Sequence, residues 1–129
     1  MKSSRFIKFL GFVTDEEKWE LYRRCRALIY PVKDEDFGIV PVEANAVGTP
    51  VIAFLGGCVK ETVIENKTGL FFKEHNVEAL VEQIRFFESV KIDPATCRCQ
   101  VFKFSHEVFN KKIQNTIDSL HQEGDSPFR

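Results

Sequence analysis

The sequence predicts an α/β fold, a parallel sheet flanked by helices, and three observations support this class. Short apolar runs alternate along the chain with segments whose apolar residues repeat at helical spacing. Alternating strands and helices are typical of βαβ units, which build parallel sheets. The 129 residues, 43% of them hydrophobic and 13 of them phenylalanine, supply apolar surface for one core, whereas two domains would be cramped. We therefore expect a single domain.

Charge and cysteine usage exclude several classes of function. Eighteen basic residues against 19 acidic ones give a formal charge of −1, so the chain has no bulk attraction for nucleic acid or an anionic membrane. The cysteines lack a paired C-x-x-C spacing, and the Cys97-Arg-Cys99 pair has no second pair to complete a zinc site. We interpret all four cysteines as reduced thiols of a cytoplasmic protein and expect no metal site: Cys25, Cys58, Cys97 and Cys99.

The N-terminal apolar run, residues 5–13, could pass for a signal peptide, but Lys8 interrupts it and acidic residues follow where small ones should be. It is better interpreted as the first strand, over residues 6–13. No other apolar run approaches the roughly 20 residues that span a bilayer. Thr14 then caps a helix, and Glu17 completes a capping box three residues later.

The second predicted strand is the apolar run 27–30, which Pro31 ends. A helix from about Gly38 to Val47 follows, with an apolar stripe at i, i+4, i+7. Pro41 fixes its start, because proline is tolerated in the first turn of a helix but not in its interior. The later elements are a strand at 51–54, one or two helical turns at 61–65, a strand at 70–72, a helix opened by His75-Asn76 with one buried face, a partly helical 91–100, and a last helix capped by Ser105.

The stretch from Lys33 to Pro50 contains most of the residues that the sequence suggests for ligand binding. Glu35 and Glu43, separated by seven residues, stand on either side of the expected helix start. Glu35 lies in the loop and Glu43 lies more than one turn inside the helix, so they cannot share a proton and suit hydroxyl recognition at two places on an elongated ligand. Free amides at residues 38–40 and the helix dipole offer a phosphate site between them. A helix N-terminus that merely carries acids is the alternative.

This stretch resembles the glycosyltransferase family 4 signature, two glutamates enclosing Phe-Gly: Glu35-Asp-Phe37-Gly38-Ile-Val-Pro-Val-Glu43. Flanking motifs in the same order extend the resemblance over roughly residues 5–120: Phe9-Leu10-Gly11-Phe12-Val13, Ala44 through Ala53, Gly56-Gly57, Glu61-Thr-Val and Thr68-Gly69. The resemblance implies the Rossmann-like C-terminal, nucleotide-sugar-binding domain of a two-domain GT-B enzyme that retains anomeric configuration.

The resemblance also implies roles for residues. Glu35 would be catalytic and hold hydroxyls of the donor sugar, Glu43 would take the ribose hydroxyls, and the amides of Phe37, Gly38 and Ile39 would bind phosphate and sugar oxygens. The backbone of Gly11, Phe12 and Val13 would meet the base, although an ordinary strand end explains it equally well. Gly56 and Gly57 could approach the diphosphate or simply form a loop. His75 and His106 are interpreted as helix-start residues.

The chain departs from the family pattern at its N-terminal side. The strand, glycine loop and basic pair that precede the segment matching Lys8 to Val13 are missing, so residues 1–121 are expected to form a partial donor-binding domain and 122–129 a disordered tail. Its strand 6–13 would then be left as an open, apolar edge. We expect self-association there, by edge pairing or sheet-face packing, or aggregation, or else completion by an N-terminal domain.

Two functions remain open. The first is a retaining hexosyl- or mannosyltransferase, with this chain as its donor-binding part and inactive alone. The second is a non-catalytic nucleotide-sugar-binding or interaction module. The resemblance implies no cofactor and a donor that is a nucleotide-diphosphate sugar such as GDP-mannose or UDP-glucose. The expected location is cytoplasmic, peripheral to the membrane in the full enzyme.

Overall fold

The computed structural model describes residues 5–34, 39–57, 59–102 and the single positions 110, 114, 117 and 118. Its elements are α1 (Asp15–Arg24), β1 (Leu28–Tyr30), α2 (Ile39–Ala46), β2 (Val51–Phe54), α3 (Val59–Thr62), β3 (Gly69–Phe72) and α4 (Val77–Phe87). A further helix, α5, covers 94–102. The strands form a parallel sheet in the order β1-β2-β3, which confirms the predicted α/β class.

The central strand β2 is buried because it pairs on both sides. It lies in register with β1 from Leu28 to Tyr30 and with β3 from Gly69 to Phe72. The crossovers run through α2 and α3, as parallel pairing requires. One face of the sheet packs with α1, α2 and α3 into a core built from eight buried residues: Tyr22, Tyr30, Ala44, Val51, Ala53, Val59, Val63 and Phe71.

A buried amide ties α2 to the sheet. Asn45 donates from Nδ2 to the carbonyl of Thr49 at 2.7 Å and to that of Thr68 at 3.1 Å. Both carbonyls stand just before strands, β2 and β3, whose first residues have to meet in register. A single side chain thus fixes where two strands begin.

Local signals placed the helices well. The Thr14 hydroxyl accepts from the Glu17 amide at 3.2 Å, which confirms the predicted cap of α1. Pro41 is the third residue of α2, inside the first turn. Asn76, rather than His75, caps α4, where Oδ1 accepts from Ala79 N at 2.8 Å.

The two late helices differ in burial. No residue of α4 is fully buried, so the prediction of a buried face holds only in part: Leu80, Ile84 and Phe87 are half-buried, whereas Val77 and Val81 are exposed. The predicted partial helicity of 91–100 is confirmed by α5, and its Cys97 is completely buried. Burial raises the pKa of the Cys97 thiol to about 11.

The predicted strand at 6–13 is wrong, because these residues contain no strand and do not join the sheet. A β-strand requires backbone hydrogen bonds to a neighbouring strand. Among the described residues, no strand lies beside this segment to form them. Its apolar side chains face solvent instead, with Phe6 88% and Phe12 97% exposed. Gly11 does supply a turn, at φ 65°.

The helical turns predicted at 61–65 are shifted toward the N-terminus, to Val59–Thr62. The reason lies in the turn that follows. The amide of Ile64 donates to the Thr68 hydroxyl at 2.8 Å, and Glu65 bridges to Gly69. Ile64 and Glu65 therefore form the turn that leads into β3, so they cannot continue α3.

Two further predictions concern residues that the structure does not describe. Most of the helix expected from Ser105, together with His106, lies outside the described residues, as does the tail 122–129. Within the described ranges, no helix combines the length and the hydrophobicity that crossing a bilayer demands.

Candidate functional site

The carboxyl ends of the three parallel strands define the edge where the predicted site lies. Each strand leads there into a loop and then a helix N-terminus: 31–34 and α2 after β1, 55–57 and α3 after β2, and 73–76 and α4 after β3. Ligands of parallel α/β sheets bind at this edge. The sheet thus gathers loops that are distant in sequence.

Contacts between these loops hold the edge together. His75 Nε2 lies 2.7 Å from the Pro31 carbonyl oxygen, and since a carbonyl can only accept, Nε2 donates. The same imidazole packs edge-on against the Phe54 ring at 4.8 Å between centroids. His75 therefore links the loop after β3 to the ends of β1 and β2, a role that the interpretation as a helix-start residue missed.

Gly56 has a packing reason to be glycine. A Cβ there would lie 2.9 Å from Cε1 of Phe54 and 3.1 Å from the carbonyl oxygen of Lys33. Any side chain would push the loop after β2 away from the loop after β1. Gly57, at φ 59°, then turns the chain toward α3.

Glu43 is the best-defined of the predicted binding residues. It lies in the second turn of α2, half-buried, with 18% of its side chain exposed, and Oε2 is 2.9 Å from Lys18 Nζ of α1. Oε2 is buried and, within the described part of the chain, accepts no hydrogen bond of regular geometry, so the ion pair is its main contact. Lys18 thereby fixes the position of this carboxylate.

The surroundings of Lys18 keep it charged. Its pKa is raised, mainly by the close contact with the Glu43 carboxylate and against partial desolvation. Asp15 Oδ1 lies 3.7 Å from Nζ, and the Trp19 ring lies beneath it at 5.6 Å. Burial, and then the charge of Glu43, raises the pKa of Tyr22, which stays a neutral phenol.

The Lys18 to Glu43 contact also orients the two helices. Lys18 lies in the first half of α1 and Glu43 in the middle of α2, so both helices begin on the carboxyl side of the sheet. This ion pair could not be predicted from the sequence, because a lysine on one amphipathic helix has many possible partners.

The remaining predicted site residues divide into two groups. Glu35, Phe37 and Gly38 lie outside the described residues. Ile39 is described, opens α2 and is exposed, so its amide is at the helix N-terminus as predicted. In the described part of the chain, no group of three or more histidine, cysteine or acidic residues could hold a metal ion.

Comparison with known proteins gives a consistent picture. The family model described as "Glycosyl transferases group 1" matches residues 4–101. The chain is 33% identical over 89 residues to a D-inositol 3-phosphate glycosyltransferase of Streptomyces avermitilis, which covers 69% of this chain and 18% of that enzyme. It is 30% identical over 120 residues to a human alpha-1,3/1,6-mannosyltransferase, covering 90% of this chain and 29% of that enzyme.

A solved structure agrees with the fold. Sucrose-phosphate synthase from Thermosynechococcus elongatus superimposes with a TM-score of 0.62 at 29% identity, over 90% of this chain and 29% of that one. The chain spans less than a third of the length of each of these relatives.

Proposed function

This chain belongs to the group 1 glycosyl transferases, and from that membership we propose that it is the donor-binding part of a retaining glycosyltransferase. The donor is a nucleotide-diphosphate hexose such as GDP-mannose or UDP-glucose. The resemblance of the Glu35 to Glu43 stretch and the similarity to a mannosyltransferase support a hexosyl or mannosyl group. As the resemblance implies, we expect no cofactor beyond the donor itself.

The observation that carries the proposal is the held carboxylate of Glu43 beside the start of α2. Lys18 fixes Oε2 at 2.9 Å, so the carboxylate is already oriented when a ligand arrives. Hydrogen bonds from ribose hydroxyls to an ionised carboxylate contribute about 1.5–3 kcal/mol each. Preorganisation by Lys18 reduces the ordering cost of forming them.

The start of α2 suits the diphosphate. Its first amides have no partner inside the helix, and the helix dipole favours negative charge there by up to about 2 kcal/mol in a partly buried geometry. In transfer, the bond from the sugar C1 to the phosphate oxygen breaks as the acceptor oxygen bonds to C1 on the same face. The proton of the acceptor hydroxyl passes to the departing phosphate oxygen, and these amides stabilise the negative charge that develops on this oxygen as the bond breaks.

Glu35 would hold the donor sugar and act as the catalytic carboxylate, while Gly11, Phe12 and Val13 would border the base. Gly56 and Gly57 would border the diphosphate, where the fit of Gly56 against Lys33 leaves the backbone of this loop at the carboxyl edge. The acceptor would bind another part of the enzyme. The chain would then be inactive alone, in a cytoplasmic enzyme that is peripheral at the membrane.

A second function is a non-catalytic nucleotide-sugar-binding module. The Glu43 carboxylate held by Lys18 supports binding of a nucleotide sugar whether or not transfer follows. The module would use the same Glu43 and the same helix start without turnover. Both functions require binding of the nucleotide sugar, so only a measurement of sugar transfer distinguishes them.

Titration of the chain with GDP-mannose and UDP-glucose tests the proposal. Glu35→Gln and Glu43→Gln keep the size of the side chain but remove the charged acceptor, so each should weaken binding by about tenfold or more, about 1.4 kcal/mol. Glu82→Gln, on the exposed side of α4, is the matched control and should bind like the wild type. Wild-type affinity in both site variants would refute the ligand roles, and hexosyl transfer measured in the complete enzyme distinguishes the enzyme from the module.

A further inference from the structure

The two carboxylate oxygens of Glu43 have different surroundings. Oε2 is buried and lies 2.9 Å from Lys18 Nζ. Oε1 is not buried by any described part of the chain, so it is the oxygen that a ligand can reach. An ionised carboxylate in water accepts hydrogen bonds at both of its oxygens. Glu43 therefore presents one accepting oxygen where a free glutamate would present two.

Lys18 is the cause of this asymmetry. A buried carboxylate oxygen is unfavourable unless a positive charge or hydrogen bonds compensate it, and the Lys18 ammonium lies against Oε2. Asp15 competes for the same ammonium, but its oxygen is 3.7 Å away and its side chain is 93% exposed, so solvent weakens that pair. The Trp19 ring, with its centroid 5.6 Å from Nζ, lies on another side of the ammonium. Lys18 is thus held on Oε2.

We propose that Lys18 is a positioning residue of the donor site, which restricts Glu43 to recognition of one hydroxyl of the donor ribose. This inference rests on the proposed function and deepens it. Ribose carries neighbouring 2′ and 3′ hydroxyls, and a carboxylate with both oxygens free can bind one hydroxyl at each. With Oε2 held by Lys18, Oε1 remains, so Glu43 accepts from one hydroxyl and leaves the other to water.

This arrangement narrows the class of donor. Lys18 does not touch the sugar in this scheme, because it acts through the carboxylate that it orients. A nucleotide without the recognised hydroxyl would lose one charge-assisted hydrogen bond to Oε1, which corresponds to about tenfold in affinity. The site would therefore favour a ribonucleotide donor over the deoxyribonucleotide that lacks this hydroxyl, and would tolerate loss of the other hydroxyl.

Binding of deoxynucleotides tests the single contact. The chain is titrated in a calorimeter with GDP and UDP, and with the 2′-deoxy and 3′-deoxy forms of the nucleotide that binds. One deoxy form should bind about tenfold more weakly than the ribonucleotide and the other within about twofold, and in Glu43→Gln this difference should disappear. Equal weakening of both deoxy forms in the wild type, abolished in Glu43→Gln, would overturn the inference but keep the proposed function. Absence of binding by both GDP and UDP would refute the proposed function and the inference with it.

A double-mutant cycle tests the role of Lys18. Lys18→Met keeps the apolar stem and removes the charge, so the Glu43 carboxylate loses the contact that orients it. The variant should bind the ribonucleotide about tenfold more weakly, but the disfavoured deoxy form like the wild type. Adding Lys18→Met to Glu43→Gln should have no further effect, since Lys18 acts through Glu43. Lys18→Arg keeps the charge and should restore the discrimination.

Lys91→Met is the matched control. Lys91 is exposed and lies beside Thr49 and Pro50, at the amino end of β2 and away from the site, so this variant should bind every nucleotide like the wild type. Urea unfolding checks that Lys18→Met stays folded, and Lys18→Gln replaces it if it does not. Equal weakening of ribonucleotide and deoxy forms by the Lys18 variant, or full discrimination in it, would overturn the inference. Lys18 would then only join α1 to α2.

Discussion

Two apolar regions of this chain have similar composition and opposite fates. The β2–β3 pair, Val51–Phe54 and Gly69–Phe72, is paired in register and buried at seven of its eight positions. The segment 5–13 has three phenylalanines, as the pair does, and three aliphatic residues, yet it forms no strand, and its large side chains are exposed. A hydrophobic pattern is therefore not sufficient for a strand in this fold, because a neighbouring backbone decides whether one forms.

The comparison has an energetic side. A residue of the pair gains from burial and from ladder bonds together, whereas the large side chains between residues 6 and 12 keep 45% to 97% of their surface in water. Equal substitutions in the two regions should therefore have unequal effects on stability. The following predictions use this difference, beginning with the largest expected effect.

The largest difference is expected between two identical truncations. Leu70→Ala removes a side chain that is 1% exposed and should lower the free energy of unfolding by about 3 kcal/mol, because a cavity remains in the sheet. Leu10→Ala removes the same atoms from a side chain that is 45% exposed and should cost less than about 1 kcal/mol. Urea unfolding, at a concentration where the chain is monomeric, measures both. Equal losses would mean that segment 5–13 packs as tightly as the sheet.

The next effect concerns the amide that sets the register of the pair. Asn45→Ala leaves the carbonyls of Thr49 and Thr68 without their side-chain donor in a buried setting, so we expect a loss of about 2 kcal/mol. Asn110→Ala, at an exposed helical position, changes the same residue type outside the core and provides the control. Urea unfolding again gives the values. A loss for Asn45→Ala below about 0.5 kcal/mol would show that the strand starts are fixed without it.

The smallest effect is a pH dependence from Cys97. Burial raises the pKa of this thiol to about 11, above its ordinary value of about 9, so the folded chain keeps a proton that the unfolded chain releases between these values. Stability is unaffected by this group below pH 9 and should fall above it, by about 1.4 kcal/mol per pH unit at most. In Cys97→Ala, this contribution to the change of the free energy of unfolding with pH should vanish. Unfolding measured from pH 8 to 10.5 can show this. Exposed Cys99, two residues away, is the control: Cys99→Ala should keep the slope.

Much of the fold followed from signals that act over a few residues. The cap at Thr14, the proline in the first turn of α2 and the alternation of strands with helices were all readable, because each depends on neighbours in sequence. The stretch from Glu35 to Glu43 was readable for the same reason. It is one continuous segment, and the family of the chain could be recognised from it and its flanking motifs.

The tertiary structure alone decided which of these local elements acquired partners. The sequence could not show that segment 6–13 has no strand, since its pattern is that of a strand and only the sheet order excludes it. Nor could it show that Lys18 holds Glu43, that His75 reaches Pro31 across 44 positions, or that Asn45 reaches Thr68 across 23. Such contacts form when packing brings distant backbone together, so local propensity carries no record of them.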